Sequence, residues 1–204
     1  MAQLVEHLES RQLFSATSLL ATLYYDINVG VADVKSVLSV GHENFQAIQA
    51  ELKGAGELKS SSAALHALAS HASAANKLLS RNVLKTGPLI KADVKKFVAA
   101  AGRLAKKPTS LPLQRAEQAI VTKLRKDGAA RLSAITASIS NRAVVDKTYA
   151  DRLIAANPGD ANLKGVFAEA SDHSGSALST TQSTLTTVIT YDVENVISAV
   201  VSKT

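Results

Sequence analysis

The stretch VADVKSVLSVGHENFQAIQAEL, residues 31–52, decides the fold class. Val31, Val34, Leu38, Gly41, Phe45, Ile48 and Leu52 step by three and four in alternation, which places them on one stripe of an α-helix. Asp33, Lys35, Ser39, His42, Glu43, Gln46 and Gln49 fill the intervening positions and suit a face turned to water. The same spacing recurs outward along the chain. Leu65, Leu68, Ala72, Ala75 and Leu79 form one further stripe, and Val94, Phe97, Ala101 and Leu104 another. The latter ends at Lys106 and Lys107, two cations placed where a helix macrodipole is negative, and Pro108 discourages further helix.

Pro112 is welcome in the first turn of the next helix, whose stripe is Ile120, Leu124, Gly128, Leu132, Ile135 and Ile139. Val145, Tyr149, Leu153 and Ile154 either continue it or follow a kink near Asn141. The β-branched run Thr180 to Thr190 favours a strand on propensity. Leu178, Leu185, Ile189, Val193, Val196 and Val200 nevertheless fit a helix better, and no partner strand is evident to satisfy a lone strand's backbone. Breaker residues at Asn28 to Gly30, Gly54 to Gly56, Thr86 to Pro88, Pro108 to Pro112, Asn157 to Gly159 and Ser174-Gly175 punctuate these segments. The expectation is an all-α protein: an antiparallel bundle of about six or seven helices, several of them long. Residues 29–204 make the bundle, and residues 1–28 form an N-terminal segment that merges into the first helix.

Composition narrows the chemistry. A chain of 204 residues without cysteine excludes disulfides, thiolate metal sites and cysteine nucleophiles. No apolar run of the length needed to cross a bilayer is present, so a soluble chain without a transmembrane span is expected. Gly54-Ala55-Gly56 lacks the third glycine of a dinucleotide loop and the lysine of a phosphate loop, and follows a helix; it reads as a helix cap and turn. His66 and His71 are five apart, a spacing that points them to different faces of a helix. Asp172-His173-Ser174 holds the residue types of a hydrolase triad, but adjacent side chains diverge. It reads as a polar loop, with Ser174 or Ser176 capping a last helix. Asp26, Asp33, Asp146, Asp151 and Asp192 are read as solvated or capping residues. No catalytic, cofactor or metal site is expected. The Ala/Ser-rich segment Ser60 to Ala75 suits a core helix with small side chains, or else a close-packing face for a second copy or a helical partner.

Leu8-Glu9-Ser10-Arg11-Gln12-Leu13-Phe14-Ser15-Ala16 resembles the short LEPR-XLL element at the N-termini of many planctomycete proteins. Leu8, Glu9, Arg11, Leu13, Ser15 and Ala16 match the pattern Leu-Glu-Pro-Arg-x-Leu-Leu-Ser-Ala, while Ser10 and Phe14 depart from it. The resemblance spans nine of 204 residues. It implies a sorting or export-associated tag of the kind carried by large surface or extracellular proteins, and hence a place outside the cytoplasm. From the residues alone the stretch also reads as an ordinary first helix, with Leu13, Thr17, Leu20, Tyr24 and Ile27 on one face. Glu6 and Glu9 stand where a secretory signal carries basic residues.

The charge is uneven. Residues 81–131 carry 13 Lys and Arg against Asp93, Glu117 and Asp127, whereas the whole chain has a formal net charge of +6. Lys95, Lys96, Lys106, Lys107, Lys123, Arg125 and Lys126 are the clustered cations of that stretch. Three readings compete: a solvated basic face, a sequence-independent polyanion site, and a specific nucleic-acid module. The third is weakest, because no aromatic residues interleave the charges. The leading expectation is a non-enzymatic helical-bundle protein with a structural or interaction role, exported or surface-associated. The alternative is a cytoplasmic bundle that binds a polyanion such as nucleic acid.

Overall fold

The computed structural model describes the backbone of residues 2–201 and the side chains of residues 18–201. Among the described residues the chain is entirely helix and connecting turn, with no strand. The helices are α1 (Ala2–Gly54), α2 (Ser62–Ala105), α3 (Leu111–Ala156) and α4 (Ala161–Thr186). The last continues through a π-helical turn, Thr187–Asp192, into α5 (Val193–Val201) with the flanking residues Thr186 and Val193 still in helical conformation. The all-α expectation therefore holds, but the described chain forms four continuous helical rods, not six or seven.

The difference lies in the breakers. Only three of the six punctuation points end a helix. At the first, Gly56 takes a positive φ of 76°. The Glu57 amide reaches back to the Leu52 carbonyl at 2.8 Å and the Gly56 amide to Lys53 at 3.2 Å, the paired bonds of a Schellman cap. At the second, Pro108 and Ser110 close the α2–α3 turn, with the Gln114 Nε2 donating to the Pro108 carbonyl at 2.7 Å. At the third, Asp160 Oδ1 accepts from the amides of Asn162 and Leu163 at 3.1 and 3.0 Å, capping α4. Asp160, not Ser174 or Ser176, is thus the cap of the last rod, and Ser174-Gly175 lies inside it.

Two of the other three breakers are spacers. A Cβ on Gly30 would lie 2.7 Å from the Leu185 Cδ2, and one on Gly87 would lie 2.7 Å from the Ile27 Cγ2. These glycines let neighbouring helices approach closely. The packing gained outweighs a glycine's helix-propensity cost of about 1 kcal/mol. Pro88 sits inside α2 and is exposed, and Asn141 marks no break in α3.

Contacts group the residues into two units. The first comprises residues 1–30, 84–133 and 184–204, and the second 31–83 and 134–183. In the second unit, Ser61 bonds Asn157, Arg142 donates to Asn76, and Asn82 donates to Ser138. Ascending numbers on α2 meet descending numbers on α3, so the two run antiparallel. Its core joins Ile48, Leu52, Leu65, Leu68, Tyr149, Leu153, Leu163 and Phe167. In the first unit, Phe97, Leu23, Val94 and Val196 are fully buried, and Ile27 and Leu124 nearly so. Val188 and Ile189 are both buried there, because the wider π turn brings two consecutive residues inward.

Candidate polyanion interface

In the first unit, α2 from Leu84, the α2–α3 turn and α3 up to Ser133 hold all but one cation of the basic stretch. The unit as a whole carries 14 Lys and Arg against eight Asp and Glu, while the second carries nine of each. The entire formal net charge therefore belongs to the first unit.

The structure separates the seven clustered cations into two sets. Lys96 and Lys123 flank Asp93 at 3.4 and 3.7 Å, and Lys123 also pairs with Asp127. Arg125 makes a two-pronged contact with Glu194, at 2.7 Å from Nε and 2.8 Å from Nη2. The hydrogen bond to Lys123 pulls the Asp127 carboxyl below its usual range, and the one to Arg125 does the same for Glu194. Lys95, Lys106, Lys107 and Lys126 are exposed and form no ion pair among the described residues. Lys85, Arg103 and Arg115, which clustering along the sequence does not pick out, are exposed in the same way.

Helical spacing reveals what clustering hides. Lys85, Lys96 and Arg103 are 11 and seven residues apart, close to whole turns, so they form one line along α2, and Lys107 follows in the turn beyond its end. That line is about 27 Å long at 1.5 Å per residue. Arg115 and Lys126, 11 apart, repeat the arrangement on α3.

The acids of this unit are placed differently. Asp26, Asp93, Asp127, Asp192 and Glu194 are half-buried, and Glu117 is 6% exposed. Burial raises the Glu117 pKa, and its Oε1 has no hydrogen-bond partner among the described residues. Asp26 and Asp192 are not scattered solvated residues. They face each other across α1 and the π turn, and Asp192 is pushed up to about 6 by burial first and by the Asp26 charge second.

That pair makes stability depend on pH. A folded pKa above the ordinary carboxylate value means that the contribution is complete below about pH 4 and is lost as pH rises through about 6. Because Asp192 is partly solvated, the effect should be no more than about 1 kcal/mol. Asp192→Asn should raise the melting temperature near pH 7, leave it nearly unchanged near pH 4, and so flatten the difference between the two. Equal shifts at both pH values would refute the pairing.

His66 and His71 are both exposed; His71 stacks on the Tyr149 ring with centroids 5.2 Å apart. Among the described residues no group of His, Asp and Glu could hold a metal ion. None of the described helices is long and apolar enough to cross a membrane. The side chains of Leu8, Glu9, Arg11, Leu13, Ser15 and Ala16 lie outside the described residues. Comparison with protein-family models, curated proteins and solved structures gives no match to this chain.

Proposed function

We propose that this chain is a non-enzymatic interaction protein that engages an anionic polymer along the α2–α3 hairpin. The observation that supports this reading is the sorting of charge by exposure. Across the first unit ten of the twelve described cations are exposed, whereas every described acid is half-buried or buried. A merely solubilising surface mixes both signs. A line of cations about 27 Å long suits a polymer with repeating charges better than a small anion. Phe97, the one aromatic residue of the basic stretch, is fully buried, so the contact is to backbone charge and not to bases.

The test is the salt dependence of binding to a duplex DNA of about 24 base pairs, with heparin as competitor. Each phosphate contact contributes about −0.9 to the slope of log K against log salt. Replacing Arg103, Lys107 and Lys126 by Gln should reduce the slope by about 2 to 3 and weaken binding at low salt by more than about tenfold. Replacing Lys96, Lys123 and Arg125 should matter less, because Asp93, Asp127 and Glu194 already offset them. Absence of binding at 50 mM salt, or an unchanged slope in the first triple variant, would overturn the proposal.

A further inference from the structure

The second unit contains a cavity of about 400 Å³ between its four helical segments. Phe45, Ile48, Leu68, Phe167 and Leu178 give it an apolar lining. It stays unfilled because the side chains toward its mouth are small: Ala143, Ala150, Ala168, Ser171 and Gly175. A Cβ built on Gly175 would meet no atom within 4 Å.

The polar groups inside are already spent on one another. Asn44 Nδ2 donates to the Ala170 carbonyl at 2.9 Å and to Ser174 Oγ at 3.0 Å. Arg142 contacts both Asp146 oxygens, at 3.1 and 2.8 Å, and donates to Asn76 at 3.2 Å. The interior therefore asks an occupant for shape and apolar surface. The rim differs: among the described residues Lys147 forms an exposed pair with Asp151 at 3.2 Å, and Lys164 forms no ion pair. Two cations against one carboxylate leave a net positive rim above an apolar hollow.

We propose that this cavity binds a linear amphiphile with a single carboxylate, its alkyl tail inside and its head group at Lys164 and Lys147. A methylene occupies nearly the volume of one water, about 30 Å³, so the cavity accommodates about 10 to 13 carbons. The site is separate from the hairpin of the first unit and stands or falls independently of it.

Isothermal titration of the intact chain with saturated fatty acids below their micelle concentrations tests the assignment. Affinity should rise about fourfold per methylene from octanoate to dodecanoate and level off once the tail exceeds the cavity. Lys164→Glu should weaken dodecanoate by at least about fivefold while leaving 1-dodecanol unchanged, since only the head group meets Lys164. Ala150→Phe fills the mouth and should abolish binding of both probes; Ala168→Leu serves as a second filling variant should the first fail to fold by circular dichroism. No saturable one-to-one binding of dodecanoate would overturn the proposal. So would equal affinity for dodecyltrimethylammonium, or binding that survives in the folded filling variants.

Discussion

Replacing Asp146 by alanine should destabilise the protein by about 3–5 kcal/mol, the range seen when one partner of a buried ion pair is removed. The Arg142 side chain is 6% exposed and Asp146 23%, so the variant would leave a guanidinium in the second unit without its counter-charge. Burial already lowers the Arg142 pKa and raises that of Asp146, which shows that both charges have given up much of their hydration. Asn76 can supply one hydrogen bond but no charge. The double change Arg142→Met and Asp146→Leu should recover most of the loss, because it removes both desolvation penalties and keeps the volume filled. Urea unfolding of the three proteins measures this. A loss below about 1 kcal/mol for Asp146→Ala would mean that water reaches Arg142 freely.

That pair also shows where sequence patterning stops being informative. Arg142 and Asp146 are four apart, a common surface spacing, and nothing in their neighbours distinguishes a buried pair from a solvated one. Burial comes instead from the packing of α1 beside the pair: Gly41 lies against the guanidinium, and a Cβ there would lie 3.4 Å from Arg142 Nη2, an ordinary contact. The stripes themselves read well. Val94, Phe97, Ala101 and Leu104 are all buried, as are Leu185, Ile189, Val193, Val196 and Val200 in the β-branched segment. Periodicity outweighed strand propensity because a whole buried face is worth more than the sum of small local preferences.

Helix ends were less legible. A glycine that terminates a helix and a glycine that lets two helices touch look alike in one dimension, and Gly30 and Gly87 are indistinguishable from Gly56 in sequence. Only Gly56 has a positive φ. The basic stretch was visible as composition, but its division into paired and free cations depends on Glu194, which lies 69 residues from Arg125. The meeting of Asp26 with Asp192 is likewise a product of the antiparallel fold and leaves no local trace.

Phe97→Ala should be as damaging as the loss of Asp146, at about 3–5 kcal/mol, but through a different mechanism. Phe97 is fully buried in the first unit, between Val94 and Ala101 on the inner stripe of α2. Truncation removes the transfer energy of the ring and leaves a hole that stiff helices cannot collapse to fill, while Phe97→Leu should cost less because most of the volume remains. The variant also separates fold from charge. Lys95 and Lys96 precede Phe97 on the exposed side of the same turn, and none of the cations is altered. Below its lowered melting temperature, Phe97→Ala should therefore keep the salt slope of the parent for duplex DNA, whereas the Arg103, Lys107 and Lys126 replacements should lose slope at nearly unchanged stability, within about 0.5 kcal/mol. Thermal melts paired with salt titrations on both variants give the two readouts. If the folded Phe97→Ala protein lost the slope as well, the cationic lines would depend on the exact packing of α2, and charge alone would not account for the binding.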